Sequence, residues 1–260
     1  MIDLHSHILP GVDDGAKSLD VSLQMARIAV ADGIRVMACT PHIYPGLYMN
    51  DAQGIRAARE SLQAELDANG IDLKLVDGAD VHLVPGLIEG LRAGSIPTIN
   101  GTRYLLLEPS HHIAPPRFAE LVFNLVAAEY VPIITHPERL VWIDDHFPVF
   151  EQLVRQGAWM QVTAGALTGV FGPRAKHWGE RFLRHGLTHV LASDAHSDGR
   201  RSPVLSAARR IAADLLGEEE ADALTVGRPQ AVLDDLPPSH AAALPELPRR
   251  SGFMALFGRH

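Results

Sequence analysis

Short apolar segments alternate with amphipathic ones along most of this chain, and that alternation limits the folds open to it more than any count of residues does. Seven strand candidates stand out: "MIDLH", "IRVMACT", "LKLVDGA", "RYLLLEP", "VPIITH", "WMQVTA" and "HVLAS". Each is short, mostly β-branched or leucine-rich, and largely apolar, as strands covered on both faces should be. Between them lie stretches with helical spacing. "SLDVSLQMARIAVADG" has a Ser/Asp start and a closing Gly33, the marks of a capped helix. Further helices are predicted near 51–69, 117–129, 147–156 and 174–185, with a short helical stretch in "PGLIEGLRAG".

Repeated βα units build either an open doubly wound sheet or a closed barrel, and no G-x-G-x-x-G fingerprint follows the first strand. The 260 residues suit one α/β barrel of roughly 250 residues, so a parallel barrel is expected. A last helix is predicted near 229–235. The segment 237–260, with four prolines and many alanines, is a poor core element and is expected to be a mobile tail. Its end, "GFMALFGRH", is read as a solvated stretch rather than a small basic-apolar contact.

Composition removes several function classes. The chain is 47% hydrophobic and 21% charged, as a packed globular protein is, and its net charge of -8 with scattered basic residues gives no nucleic-acid footprint. The first residues lack a basic n-region and an apolar h-region, and nowhere do about 18 uncharged apolar residues run together, so a cytoplasmic protein with no transmembrane segment is expected. The single cysteine, Cys39, forbids an intramolecular disulfide and any thiolate-rich zinc cage. It is expected to be a packed strand residue.

The polar residues gather where the strands end. The first strand ends in His5 and His7, the second in "TPH" with His42, the third in "GAD" with Asp80, and the fourth in "LEP" with Glu108. The fifth ends in "THPER" with His136 and the last in "SDAH" with Asp194 and His196. In a parallel barrel all these ends open on one face, where active sites of such folds are assembled. A lone histidine at a strand end is usually structural; an imidazole or carboxylate at six strand ends is not coincidence. His5 and His7, two apart on a strand, point to the same side and can share an ion. Imidazole and carboxylate donors without thiolate suit Mn, Fe, Zn or Mg. So many candidates imply at least two ions, and Asp14 with His42 and His196 has the makings of a third site.

Adjacent divalent ions acidify water and neutralise oxygens on both sides of an in-line displacement, which phosphate esters need. Arg139, in "HPER", and Arg200, in "DAHSDGR", are expected on loops beside the metals as forked clamps for a phosphoryl group. A carbamylated-lysine bridge is disfavoured because Lys17, Lys74 and Lys176 are not at strand ends, and a thiol phosphatase is disfavoured because Cys39 is followed by "TPHIYP".

These residues resemble a known group. "DLHSHILPGVDDGA", "ACTPH", "LEPS", "THPER" and "SDAHSDGR" look like the polymerase-and-histidinol-phosphatase (PHP) superfamily, and more narrowly its bacterial tyrosine-protein phosphatases of capsule and exopolysaccharide synthesis, over residues 1–236. The resemblance implies a distorted (β/α)7 TIM-like barrel and a trinuclear site, usually supported by manganese. It implies a substrate that is the phosphotyrosine tail of a membrane-associated tyrosine kinase, and the step expected at such a site is in-line attack of a metal-bound hydroxide on phosphorus. It suggests His5, His7, Asp80 and Asp194 for one ion, Asp80, Glu108 and His136 for a second, and Asp14, His42 and His196 for a third. Arg139 and Arg200 would bind phosphate. The third strand of that family usually ends in glutamate, so Asp80 departs from the pattern by one methylene. His111 and His112 match no ligand position and are read as a loop over the barrel mouth, and His82 is read as structural. The alternatives are a PHP phosphoesterase for a small metabolite such as histidinol phosphate, and a non-catalytic metal-binding module that docks on the kinase.

Overall fold

The computed structural model describes residues 1–240. β1 (Ile2–Ser6) leads through a loop to α1 (Leu19–Ala31), whose N-cap Ser18 accepts the Val21 amide, in keeping with the Ser/Asp start. β2 (Val36–Cys39) runs across Thr40 and Pro41 into β3 (His42–Tyr44), which turns back through β4 (Tyr48–Met49). α2 (Ala52–Ala68) starts at Asp51, whose carboxylate accepts the Gly54 amide at 2.8 Å. Then follow β5 (Lys74–Asp77), β6 (Asp80–His82), α3 (Leu87–Arg92), β7 (Tyr104–Glu108) and α4 (Phe118–Ala127). β8 (Val131–Thr135), α5 (Ile143–Arg155), β9 (Trp159–Thr163), α6 (Ala164–Leu167), α7 (Gly172–Arg184) and β10 (Val190–Ala192) complete the alternation. α8 (Ser206–Leu216), α9 (Glu218–Asp222), a π-helical turn (Ala223–Gly227) and α10 (Arg228–Leu233) end the described elements, apart from one 3-10 turn at Pro238–His240.

Every strand pairing except the β3–β4 hairpin is parallel. The strands fall into one sheet of order β1-β2-β5 and another of order β10-β9-β8-β7-β6-β3-β4, in which β3 and β6 continue β2 and β5 beyond a break. β1 and β10 join the two sheets. Ser6 and Ala195 form a parallel bridge there, the His7 amide donates to the Ala195 carbonyl at 2.8 Å, and the Asp194 amide donates to the His5 carbonyl at 2.9 Å. Counting β2 with β3 and β5 with β6, seven strand positions make the distorted (β/α)7 barrel.

Residues two apart on the strands line the interior: Tyr104 and Leu106, Val131 and Ile133, Trp159, and Val190 pack into one buried cluster with Ile2 and Leu4. The larger cluster fills the layer between strands and helices. The register of β1 against β2 shifts between Asp3 and Ser6, so Leu4 joins the interior cluster while His5 and His7, of opposite parity, also turn into the barrel mouth. Strict alternation would have sent one set outward.

The far end of the barrel is closed by the C-terminal elements. Arg228 is fully buried and forks onto Glu220 at 2.8 and 2.9 Å, Arg103 pairs with Asp235, and the Tyr104 hydroxyl donates to the Leu236 carbonyl at 2.6 Å. Two expectations change. The helix placed at 147–156 starts at Ile143, which puts Pro148 in its second turn, where the missing amide leaves the Asp144 carbonyl without its usual donor. "LKLVDGA" breaks into β5 and β6, and the β3–β4 hairpin was not foreseen. The tail expected at 237–260 falls, from 241 onward, outside the described residues.

Candidate metal centre

The strand ends converge on one bowl of about 140 Å³, lined by Asp14, His42, Glu108, His111, His136, Arg139, Asp194, His196 and Arg201. His5, His7 and Asp80 form its buried floor. Four groups of donors within reach of a shared ion emerge: His7, Asp14, His42 and His196; His5, His7 and Asp80; Glu108, His111 and His136; and His42, Asp80 and Glu108.

The outer hydrogen bonds decide which nitrogen of each ring faces inward. His5 Nδ1 lies 2.9 Å from Gln161 Oε1, and the amide nitrogen of Gln161 turns to Thr163 Oγ1, so the Gln161 oxygen accepts from His5. His7 Nδ1 donates to Asp13 Oδ2 at 2.7 Å, and His196 Nδ1 donates to the Asp194 carbonyl at 3.0 Å. Carboxylates, amides and carbonyls in this role fix the tautomer of a ligating histidine. As a result the Nε2 lone pairs of His5 and His7 confront each other at 3.2 Å. Two lone pairs at that distance repel unless a proton or a metal ion lies between them; against the effect of burial, the Asp13 and Asp194 carboxylates raise His7 to about 10, so a proton takes that place until a metal ion displaces it.

Asp80 is placed in the same way. Its Oδ2 is buried without a hydrogen bond, 3.4 Å from His5 Nε2, 3.6 Å from His42 Nδ1 and 3.9 Å from His136 Nε2. Asp194 Oδ1 stands 3.4 Å from His5 Nε2 and 3.5 Å from His7 Nε2, and His42 Nε2 and His196 Nε2 each stand 3.5 Å from Asp14 Oδ1. Such spacings are long for hydrogen bonds but close to the ~3.0–3.4 Å that separates two ligands held ~2.1 Å from one ion. The donor set therefore fits divalent cations. Asp80 belongs to two of the groups.

Burial would raise the carboxyls of Asp80 and Asp194, yet the surrounding imidazoles, His5 foremost, hold both well below the usual carboxylate range. Burial pushes His136 down to about 4, which leaves its lone pair free. Cys39 is buried and its thiol is pushed up by that burial, so it offers no nucleophile.

Local backbone aims these groups. His136 and Asp194 sit just past strand ends at φ 35° and 51°, the left-handed region that is uncommon outside glycine, that Asp and His enter more readily than most, and that recurs at functional sites. The loop "ILPGVDDGA" folds back so that the Ala16 amide donates to the His7 carbonyl; a Cβ at Gly15 would lie 2.2 Å from that oxygen. This fold-back delivers Asp13 to His7 and Asp14 to the mouth.

Of the eleven residues singled out from the sequence, ten lie in this bowl or its floor: His5, His7, Asp14, His42, Asp80, Glu108, His136, Arg139, Asp194 and His196. Arg200 does not. Its guanidinium donates to the Val170 carbonyl at 2.7 Å, away from the bowl, while Arg201 lines it. Arg139 Nη1 and Arg201 Nη2 both reach Asp194 Oδ2, at 2.5 and 2.7 Å. Asp194 thus turns one oxygen to the imidazoles and the other to two guanidiniums. His111, read as a loop residue, places Nε2 3.2 Å from Glu108 Oε1 and joins a donor group. His82 braces Glu108 from behind at 3.2 Å, with Tyr44 stacked on its ring. Asp13 and Gln161 were also missed, although "DD" four residues before the helix cap was visible for the first.

A protein-family model described as capsular polysaccharide synthesis, CpsB/CapC, matches residues 1–234. The chain is 38% identical over 199 residues to the tyrosine-protein phosphatase YwqE of Bacillus subtilis, covering 76% of this chain and 78% of that protein. It is 30% identical over 242 residues to the tyrosine-protein phosphatase CpsB of Streptococcus pneumoniae, covering 90% and 99%. In structure it resembles a chain from the crystal structures of YwqE and CpsB, described there as unique metal-dependent tyrosine phosphatases, with a TM-score of 0.87 at 33% identity over 91% of this chain and 95% of that one.

Proposed function

Because this chain belongs to the CpsB/CapC family of capsular polysaccharide synthesis, we propose that it is a metal-dependent protein-tyrosine phosphatase acting on a membrane-associated tyrosine kinase of that process. An ATP-using kinase domain of that kind meets its phosphatase in the cytoplasm. Among the described residues no helix is long and apolar enough to cross a membrane.

The observation that carries this reading is the meeting of two guanidiniums with the nitrogen and oxygen donors in one bowl. Facing into it are four carboxylates, Asp14, Asp80, Glu108 and Asp194, against the guanidiniums of Arg139 and Arg201. With the imidazoles neutral, as they would be when ligating, these groups leave two surplus negative charges, which by themselves would repel a phosphate dianion. Two or three divalent ions, manganese foremost with iron, zinc or magnesium as alternatives, would reverse that sign, acidify water and neutralise phosphoryl oxygens. We assign His5, His7, Asp80 and Asp194 to one ion, Asp80, Glu108, His136 and His111 to a second, and Asp14, His42 and His196 to a third. Arg139 and Arg201, in place of Arg200, hold the phosphoryl oxygens by forked, charge-assisted hydrogen bonds. A phenol of pKa about 10 is a tolerable leaving group, for which a metal ion or bound water would serve in place of a dedicated acid.

The bowl also argues about substrate size. At about 140 Å³ it is smaller than the ~300–1,000 Å³ pockets that bury drug-sized ligands, which suits a phosphoryl group with the rest of the substrate lying across the open mouth. That favours a phosphorylated protein side chain over an enclosed metabolite such as histidinol phosphate. Next to the mouth the β3–β4 hairpin presents exposed Tyr44, Leu47 and Met49, and Tyr48 stacks on His42. Such a rim suits the ring of a phosphotyrosine. The deciding experiment measures turnover of a phosphotyrosine peptide and of histidinol phosphate by manganese-loaded protein, before and after chelation. Peptide turnover that chelation abolishes and manganese restores is expected. Faster turnover of histidinol phosphate, or activity undiminished in chelator, overturns the reading.

A further inference from the structure

Arg139 and Arg201 approach from different loops and donate to the same oxygen, Asp194 Oδ2. Two cations sharing one acceptor repel each other, and long side chains anchored at one end keep much rotamer freedom. Something else must fix their planes. Phe171 is placed to do so: the Arg139 Cζ lies 4.4 Å from the centroid of its ring and the Arg201 Cζ 5.6 Å, within the range of cation–π attraction.

The ring is itself held. It follows the short helix α6, where a Cβ on Gly165 would come within 2.8 Å of Phe171 Cε2, so the close approach requires glycine there. The Val170 amide donates to the Gly165 carbonyl at 2.8 Å, and the Val170 carbonyl accepts from Arg200. Arg200, outside the bowl, thereby ties down the turn that carries Phe171. Core packing does not account for the ring, since Phe171 is half-buried and belongs to neither hydrophobic cluster.

We propose that Phe171 is a positioning residue of the phosphate clamp, an aromatic platform that fixes the guanidiniums of Arg139 and Arg201 without touching substrate or metal. The inference rests on the assignment of those two arginines to phosphate. Once neither guanidinium has an aromatic face to rest on, phosphate binding should weaken by about 5- to 30-fold.

The test compares Phe171→Leu, Phe171→Tyr and Gly165→Ala in the manganese-loaded full chain. The readouts are the inhibition constant of inorganic phosphate, kcat/KM on p-nitrophenyl phosphate, metal content and thermal midpoint. Phe171→Leu keeps apolar bulk but removes the π face; Gly165→Ala keeps the ring but displaces it. Both should raise the phosphate inhibition constant and lower kcat/KM by similar factors at unchanged metal content, and Phe171→Tyr should match the parent. An unchanged inhibition constant in Phe171→Leu overturns the proposal, as does Phe171→Tyr behaving like Phe171→Leu. If Phe171→Leu does not fold, Gly165→Ala with an unchanged inhibition constant has the same force. Arg201→Ala, run alongside, separates the two levels. If it too leaves phosphate inhibition unchanged, the clamp assignment has failed; if it alone weakens inhibition, only the role of Phe171 has failed.

Discussion

Replacing Arg201 by alanine removes one of the two guanidiniums that line the bowl, whereas replacing Arg200 removes a neighbour that points elsewhere. Arg201 Nη2 lies 2.7 Å from Asp194 Oδ2 and 3.2 Å from the Asp194 carbonyl, which leaves the rest of its fork for a phosphoryl group. Hydrogen bonds to charged groups contribute about 1.5–3 kcal/mol each, so Arg201→Ala should lower kcat/KM by about 10- to 150-fold. Arg200→Ala loses one bond to Val170 on the outer side of a turn and should lower it by less than about fivefold. Both variants are assayed on p-nitrophenyl phosphate and on a phosphotyrosine peptide at saturating manganese, with metal content measured to exclude an indirect loss. Arg200→Ala proving as damaging as Arg201→Ala, at equal metal content, would refute the placement of the clamp.

Other perturbations test other parts of the site. His111→Ala should lower manganese affinity by about 10- to 100-fold, since the imidazole stands 3.2 Å from Glu108 in a donor group; a parent-like metal titration removes His111 from the site. Gly15→Ala should abolish metal binding and lower the thermal midpoint, because the new methyl would meet the His7 carbonyl at 2.2 Å; a well-folded, metal-loaded variant contradicts the fold-back of that loop. His189 gives a pH prediction. Burial and the nearby Arg228 push it down to about 3, and its Nδ1 accepts the Met160 amide. Between pH ~6.5 and ~3 the unfolded chain therefore takes up a proton that the folded one refuses, so stability is full above pH ~6.5 and falls by up to ~1.4 kcal/mol per pH unit below it. His189→Asn should show a shallower acid limb in denaturant unfolding, and parallel limbs would count against this origin.

The barrel was legible because strands buried on both faces leave a simple trace, short apolar runs such as "VPIIT" between capped helices, and because parallel strands put their ends on one face. His5, His7, Glu108 and His136 could be read from that rule alone. It stops where the strand stops. In "DAHSDGRRS" nothing periodic says which arginine points inward; the His196 and Ser197 amides both donate to the Arg201 carbonyl, which closes the turn and leaves Arg200 at its tip. His111 lies past Pro109, on a loop whose path is set by long-range contacts such as the Val141 amide donating to the His111 carbonyl. Gln161 sits inside a strand, where one polar residue among apolar ones carries no signal until His5 is seen opposite it. The slip in β1 that turns His5 and Leu4 to the same interior is likewise invisible to a period-two reading.

Asp194 gives one oxygen to the imidazoles and the other to the arginines, so a metal ion held by the first and an oxyanion held beside the second would be coupled through one carboxylate. By thermodynamic reciprocity, whatever factor manganese contributes to the affinity for an oxyanion, the oxyanion must return to the affinity for manganese. Inorganic phosphate, the product of the reaction, should then slow the escape of manganese during dialysis, so the enzyme would hold its ions most firmly just after each turnover.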